Sequence, residues 1–108
     1  MTLSIVIPTF TIDKKLEQMA HDCAEYYYLN PEVDEVIICE DGGFYSNQIS
    51  AMSDVYIYSR DNVGFTKNVN RGLKIASGDY IAVVNSDTQI EERKTTGSLL
   101  DLCIPGKV

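Results

Sequence analysis

At 108 residues the chain has the size of one domain, enough to bury somewhat under about 70% of its unfolded surface. Sixteen acidic residues against nine basic ones leave a net charge of −7, which excludes a phosphate-backbone partner, because nucleic-acid binders need clustered Lys and Arg. Cys23, Cys39 and Cys103 form no Cys-x-x-Cys pair, so they read as reduced thiols of a cytoplasmic protein and not as a zinc site or a disulfide framework.

The predicted elements alternate. Leu3 to Pro8 is nearly continuous in apolar residues, as a strand buried on both faces is. It is far shorter than the ~20 residues of a membrane span, and no signal peptide is visible. From Asp13 to about Leu29, Leu16, Met19, Ala20, Cys23 and Tyr27 recur on one helical face. Asn30-Pro31 ends that helix, since proline disfavours the helical region for the residue before it. Tyr26-Tyr27-Tyr28 reads as packing at its end and His21 as a solvated helix-face residue. Asp34 to Cys39 and Asp54 to Ser59 are the second and third strands.

A second helix is predicted from about Phe65 to Ser77. Asp61 or Asn62 is its expected cap, and Gly64 relieves the backbone at its start. Phe65, Val69, Leu73 and Ala76 form its apolar stripe. Gly72 within that stripe implies close approach to a neighbouring strand, and Gly78 stands where a helix end takes a left-handed residue. The strand Asp79 to Val84 then stops abruptly at Asn85-Ser86-Asp87. After Thr88 the pattern fades, and Thr95-Thr96-Gly97 weakens any helix over Glu91 to Leu102. Strands alternating with helices imply right-handed crossovers and a parallel sheet, so the fold class is α/β, a Rossmann-like sheet with flanking helices.

The triplet reads either as a turn, which Asn, Ser and Asp all favour, or as an acceptor-rich cluster at the carboxyl edge of the sheet, where open parallel sheets bind ligands. Asp87 can ligate a hard divalent cation, with Asn85 offering a second oxygen, and such a cation completes its shell with water and phosphates. Competing nucleotide folds lack their signatures. Pro8-Thr9-Phe10-Thr11 stands where a dinucleotide fold would carry its glycine-rich turn, and no P-loop or nucleotidyltransferase glycine-arginine loop is present.

Taken together, Asn62-x-Gly64, Asn70-x-Gly72, Ala76-x-Gly78-Asp79-Tyr80 and Asn85-x-Asp87 resemble the nucleotide-sugar half of family 2 glycosyltransferases with the GT-A fold. Leu3 to Phe10 resembles that family's first strand, and Glu35 to Gly43 its second. The resemblance covers most of residues 3 to 90. It implies a single GT-A-like domain over residues 1–108 with sheet order 3-2-1-4, and a DxD-type motif at Asn85-Ser86-Asp87. It also implies a nucleotide-diphosphate-sugar donor, a UDP-sugar first among them, with Mn²⁺ or Mg²⁺ held by Asp87 and Asn85.

The donor site it implies draws on three strand ends. Pro8, Thr9 and Phe10 form one wall, with Phe10 either presenting an aromatic face or packing in the core. Glu40, Asp41 and Gly42 form the second, with the base or ribose contact falling on Glu40 or Asp41, unless this stretch is only a solvated turn. Asn85, Ser86 and Asp87 form the third. Asn62, Lys67 and Arg71 lie near the start of the second helix beside Gly64, where each either neutralises phosphate charge or is a surface or capping residue, and Asn70 either bonds back to the first loop or faces solvent. The family's acceptor-side general base comes from a segment well beyond the metal triplet, so the catalytic residue is unassigned. Three expectations follow: the donor-binding part of a longer transferase, a small protein that completes its site as a homo-oligomer, or a non-catalytic nucleotide-sugar binding module.

Overall fold

A computed structural model describes residues 2–86 and 104–105. Strands β1 (Leu3–Thr9), β2 (Glu35–Asp41), β3 (Val55–Ser59) and β4 (Tyr80–Val83) run parallel. A two-residue strand β5 (Ile104–Pro105) joins the edge antiparallel to β4, giving the order β3-β2-β1-β4-β5. The parallel part has the predicted order 3-2-1-4. Neither β5 nor the four-residue helix α2 (Asn47–Ser50) was expected. Both are too short to leave a periodic signal.

Alternation along the central strand sorts the core into two layers. Leu3, Ile5 and Ile7, with Val36 and Ile38, pack against Ala20, Cys23, Ala24 and Tyr27 of α1 (Lys14–Tyr28) and Ile49 of α2. Val6, Ile37, Cys39 and Ile81 face the other way, toward Leu73 of α3 (Phe65–Ile75) and Ala76 just after it. All seven residues of β1 are buried, as a strand covered on both faces requires. Asp13 caps α1 as a side-chain acceptor for the Leu16 N–H at 2.8 Å. Tyr27 is buried with Tyr26 edge-on against it, so the tyrosine triplet packs a helix end.

Gly72 lets α3 lie close on the sheet. A Cβ there would stand 2.6 Å from Val6 Cγ1 and 2.7 Å from Cys39 Sγ. The expected role of Gly78 is corrected: its φ is not in the left-handed region, and α3 has already ended at Ile75 with Ala76 extended. Gly78 is needed because a Cβ would meet the Ser4 backbone nitrogen at 2.7 Å, while its own N–H donates to Ser4 Oγ.

The amino ends of the strands are fastened by a repeated device. Asp34 accepts the Leu3 N–H at 2.7 Å, Asp54 accepts the Val36 N–H at 2.8 Å, and Asp79 accepts the Thr2 N–H at 3.1 Å. Each acid immediately precedes a strand and reaches the neighbouring chain, so these three carboxylates set register at the end opposite the loops described next.

Cys23 and Cys39 are buried, reduced thiols, and Cys103 lies outside the described residues. Burial pushes the Cys39 thiol from 9.0 up to about 11, against a smaller pull from Arg71 and the Gly72 backbone. The folded chain therefore keeps a proton that the unfolded chain loses, so this stability is complete below pH 9 and is lost as the pH rises through about 11. Tyr56, pushed by burial from 10.0 to about 12, acts in the same direction at higher pH. Denaturant titrations across this alkaline range should show falling stability, with a shallower fall in Cys39→Ala. An identical slope in the mutant would reject this assignment.

Candidate functional site

The carboxyl ends of β1 and β2, the loop after β4 and the start of α3 surround a crevice of about 360 Å³. This is the edge where open parallel sheets place ligands. Pro8, Thr9 and Phe10 line it from β1, Asp41 from β2, Asn62 and Gly64 from the loop before α3, and Asn85 and Ser86 from the stretch after β4. Eight of the residues expected from the sequence thus share one space. Phe10 is 47% exposed, so it does not pack in the core. Asp87 lies outside the described residues, as do Glu91 and Glu92.

Glu40 departs from expectation. It belongs to β2 and not to a solvated turn, is 0% exposed, and does not line the crevice. Its carboxylate accepts four hydrogen bonds: from Thr9 Oγ1 at 2.7 Å, Thr11 Oγ1 at 2.6 Å, the Thr11 N–H at 2.8 Å and the Gly43 N–H at 3.1 Å. The Phe44 N–H adds a bond to the Thr11 carbonyl. Glu40 therefore ties the loop after β1 to the loop after β2. Of the acidic pair, Asp41 is the one at the crevice, because successive side chains on a strand point to opposite faces.

Asp41, 5% exposed, builds the start of α3. Its two oxygens accept the Val63 N–H at 2.7 Å and the Gly64 N–H at 3.1 Å. Gly64 holds the N-cap position just before α3, with φ +96° and no side chain to cap with, which corrects the expected capping by Asp61 or Asn62. The acceptor comes instead from β2, across the chain, and Asn62 assists through Oδ1 to the same Gly64 N–H. Gly42, at φ +91°, faces this loop: a Cβ would meet the Asn62 nitrogen at 2.9 Å.

Sequence reading missed Asn68 and Phe65. Asn68 is 2% exposed, lines the crevice, donates to the Cys39 carbonyl at 2.7 Å and accepts from Arg71 Nη2 at 2.6 Å. Its signal was available, since it precedes Gly72 by four and so shares the face that meets the sheet. Phe65 is the first residue of the predicted core stripe, yet it is 64% exposed at the crevice. One turn of helix has too little sheet beneath it to cover this ring.

Lys67 and Arg71 take the surface alternative and do not line the crevice. Arg71 turns toward Asn68 and stands 3.8 Å from Asp41, reaching the crevice only through those side chains. Lys67 is exposed and lines a second groove on α3 together with Asn70, which is exposed as well. Neither residue lines the crevice.

Magnesium and manganese take hard oxygen donors and retain waters and substrate phosphates. Asn85, which lines the crevice, carries an amide oxygen of this kind, so the described part of the triplet fits such an ion. Among the described residues, the close group of potential ligands His21, Asp22 and Glu25 lies on α1, and none of the three lines the crevice. Among them too, no helix is long and apolar enough to cross a membrane.

No curated protein matches the chain. The sequence profile of glycosyl transferase family 2, by contrast, matches residues 4–102. A match of that extent, on a sheet of this order, makes the chain a member of glycosyl transferase family 2, whose enzymes use a nucleotide-sugar donor and an acceptor, generally with a divalent metal.

Proposed function

We propose that residues 1–108 form one donor-binding domain whose crevice takes the nucleotide of a nucleotide-diphosphate sugar, with a UDP-sugar as the first candidate. The observation that supports this reading is the convergence of Thr9, Asp41 and Asn85 on one space at the carboxyl edge of the sheet. In this reading Phe10 and Phe65 offer ring faces to the base, and Asp41 and Thr9 provide polar contacts beside it. Asn85 and Asp87 would hold Mn²⁺ or Mg²⁺, which when bound supplies positive charge to the diphosphate leaving group. The chain's own part is to orient the nucleoside against a rigid strand end, with the phosphates toward Asn85 at the far side of the crevice. The acceptor hydroxyl would need a carboxylate base to take its proton.

One observation favours a second reading, a nucleotide-sugar binding module without turnover. The carboxylate that lines the crevice among the described residues, Asp41, is already bonded to the Val63 and Gly64 amides. Calorimetric titration of UDP with Mn²⁺, run beside an assay of donor hydrolysis and transfer, separates the two. Asp87→Ala should abolish the cation-dependent part of binding while leaving the unfolding midpoint unchanged. Unaltered affinity in that mutant would remove Asp87 from the metal site, and binding without any turnover would support the module.

A further inference from the structure

We infer that the free edge of β3 is a self-pairing surface, on which a second copy of this chain docks its own β3 antiparallel about Ile57. Among the described residues, nothing pairs with the outer side of β3, which ends the sheet. Native edge strands are usually protected by charges, proline or a bulge. Val55-Tyr56-Ile57-Tyr58-Ser59 contains no charge and no proline, and its five residues pair with β2 without interruption.

The hydrogen-bonding direction is set. The Ser59 carbonyl accepts the Gly42 N–H, so the odd-numbered residues address β2. By alternation, Tyr56 and Tyr58 send their N–H and C=O groups outward. An antiparallel partner centred on Ile57 brings Tyr56 opposite Tyr58 of the second copy, each exchanging both main-chain bonds, with Ile57 facing its own equivalent between them. The same register sets Asp54 opposite Arg60 of the second copy, and Arg60 opposite its Asp54. Both residues are exposed, Asp54 keeping one carboxylate oxygen on the Val36 N–H, and the segment is self-complementary in charge at Asp54 and Arg60, in rings at Tyr56 and Tyr58, and at Ile57. A register shifted by two residues would lose that pairing, so charge selects this one. The occupant is thus another copy, joined through an isologous two-fold contact. Because the strands are antiparallel, the two crevices lie at opposite ends of the shared sheet, and neither copy completes the other's site.

Sedimentation velocity over a concentration series should show a monomer–dimer equilibrium for the full chain. Arg60→Asp, which sets like charges opposite each other twice, should weaken dimerisation by about tenfold, and Tyr58→Pro, which deletes an outward N–H, should abolish it. Circular dichroism checks that both remain folded. In a Cys103→Ser background, Ile57→Cys should form an interchain disulfide on mild oxidation, since directly opposed non-hydrogen-bonded residues have Cα atoms about 4.5 Å apart. A chain monomeric at every concentration overturns the proposal. So does a dimer indifferent to both edge variants, or one captured by a foreign strand in place of itself. Failure of Ile57→Cys to cross-link while the dimer persists overturns it too.

Discussion

Glu40→Met should lower the free energy of unfolding by about 4 kcal/mol, because it leaves the buried Thr11 amide and the half-buried Gly43 amide without acceptors at roughly 1–3 kcal/mol each, and strands the Thr11 hydroxyl besides. The side chain keeps its volume, so no cavity contributes. Glu40→Gln should be far milder, about 1 kcal/mol. Its single oxygen can serve the Thr11 and Gly43 amides, and the hydroxyls of Thr9 and Thr11 can rotate to accept from the new NH₂ group. Urea unfolding of the three proteins measures this contrast. Were Glu40 a ligand contact and nothing else, Met would reduce nucleotide affinity and leave the denaturation midpoint where it was.

Gly72→Ala is the second large effect, and here two physical terms oppose each other. Alanine is favoured over glycine in a helix interior by about 1 kcal/mol. The new methyl would however meet Val6 Cγ1 at 2.6 Å and Cys39 Sγ at 2.7 Å, both in the buried layer beneath α3. Overpacking of this kind costs about 1–3 kcal/mol, and with the contact this short the upper part of that range applies. The expected net loss is about 1–2 kcal/mol. Adding Cys39→Ala, which removes one of the two opposing atoms, should recover much of it, so the double mutant should be more stable than the sum of the singles. Strict additivity would show that α3 and the sheet do not touch as described.

What the sequence disclosed and what it concealed have separate causes. The four parallel strands and the two long helices of the core layers were legible because burial on two faces or one leaves a continuous or periodic apolar pattern, which the single turn of α2 with Ile49 is too short to show. The close approach at Gly72 could be read for the same reason, a glycine inside an otherwise good stripe. The convergence of Thr9, Asp41 and Asn85 was legible through the order of elements, since parallel strands share a carboxyl edge. What could not be read was which polar side chain serves the fold. Glu40 and Asp41 are adjacent acids with one residue of pleat between them, and only the register of β2 decides that the first is enclosed and the second meets the crevice. The α3 cap was misassigned for a related reason: its acceptor, Asp41, lies more than twenty residues away and no local rule points to it. Phe65 looked like core because periodicity says which face a residue occupies, not whether a partner surface extends that far.

The bonding of Asp41 bears on how so acidic a molecule tolerates an anionic guest. Its charge is engaged by two peptide dipoles, the amino terminus of α3 and a nearby guanidinium, so the floor of the crevice presents little bare negative potential. Excess negative charge on the rest of the surface is felt at a distance, within a screening length of about 8 Å in physiological salt. Repulsion should therefore govern how fast a phosphorylated molecule arrives far more than how long it stays.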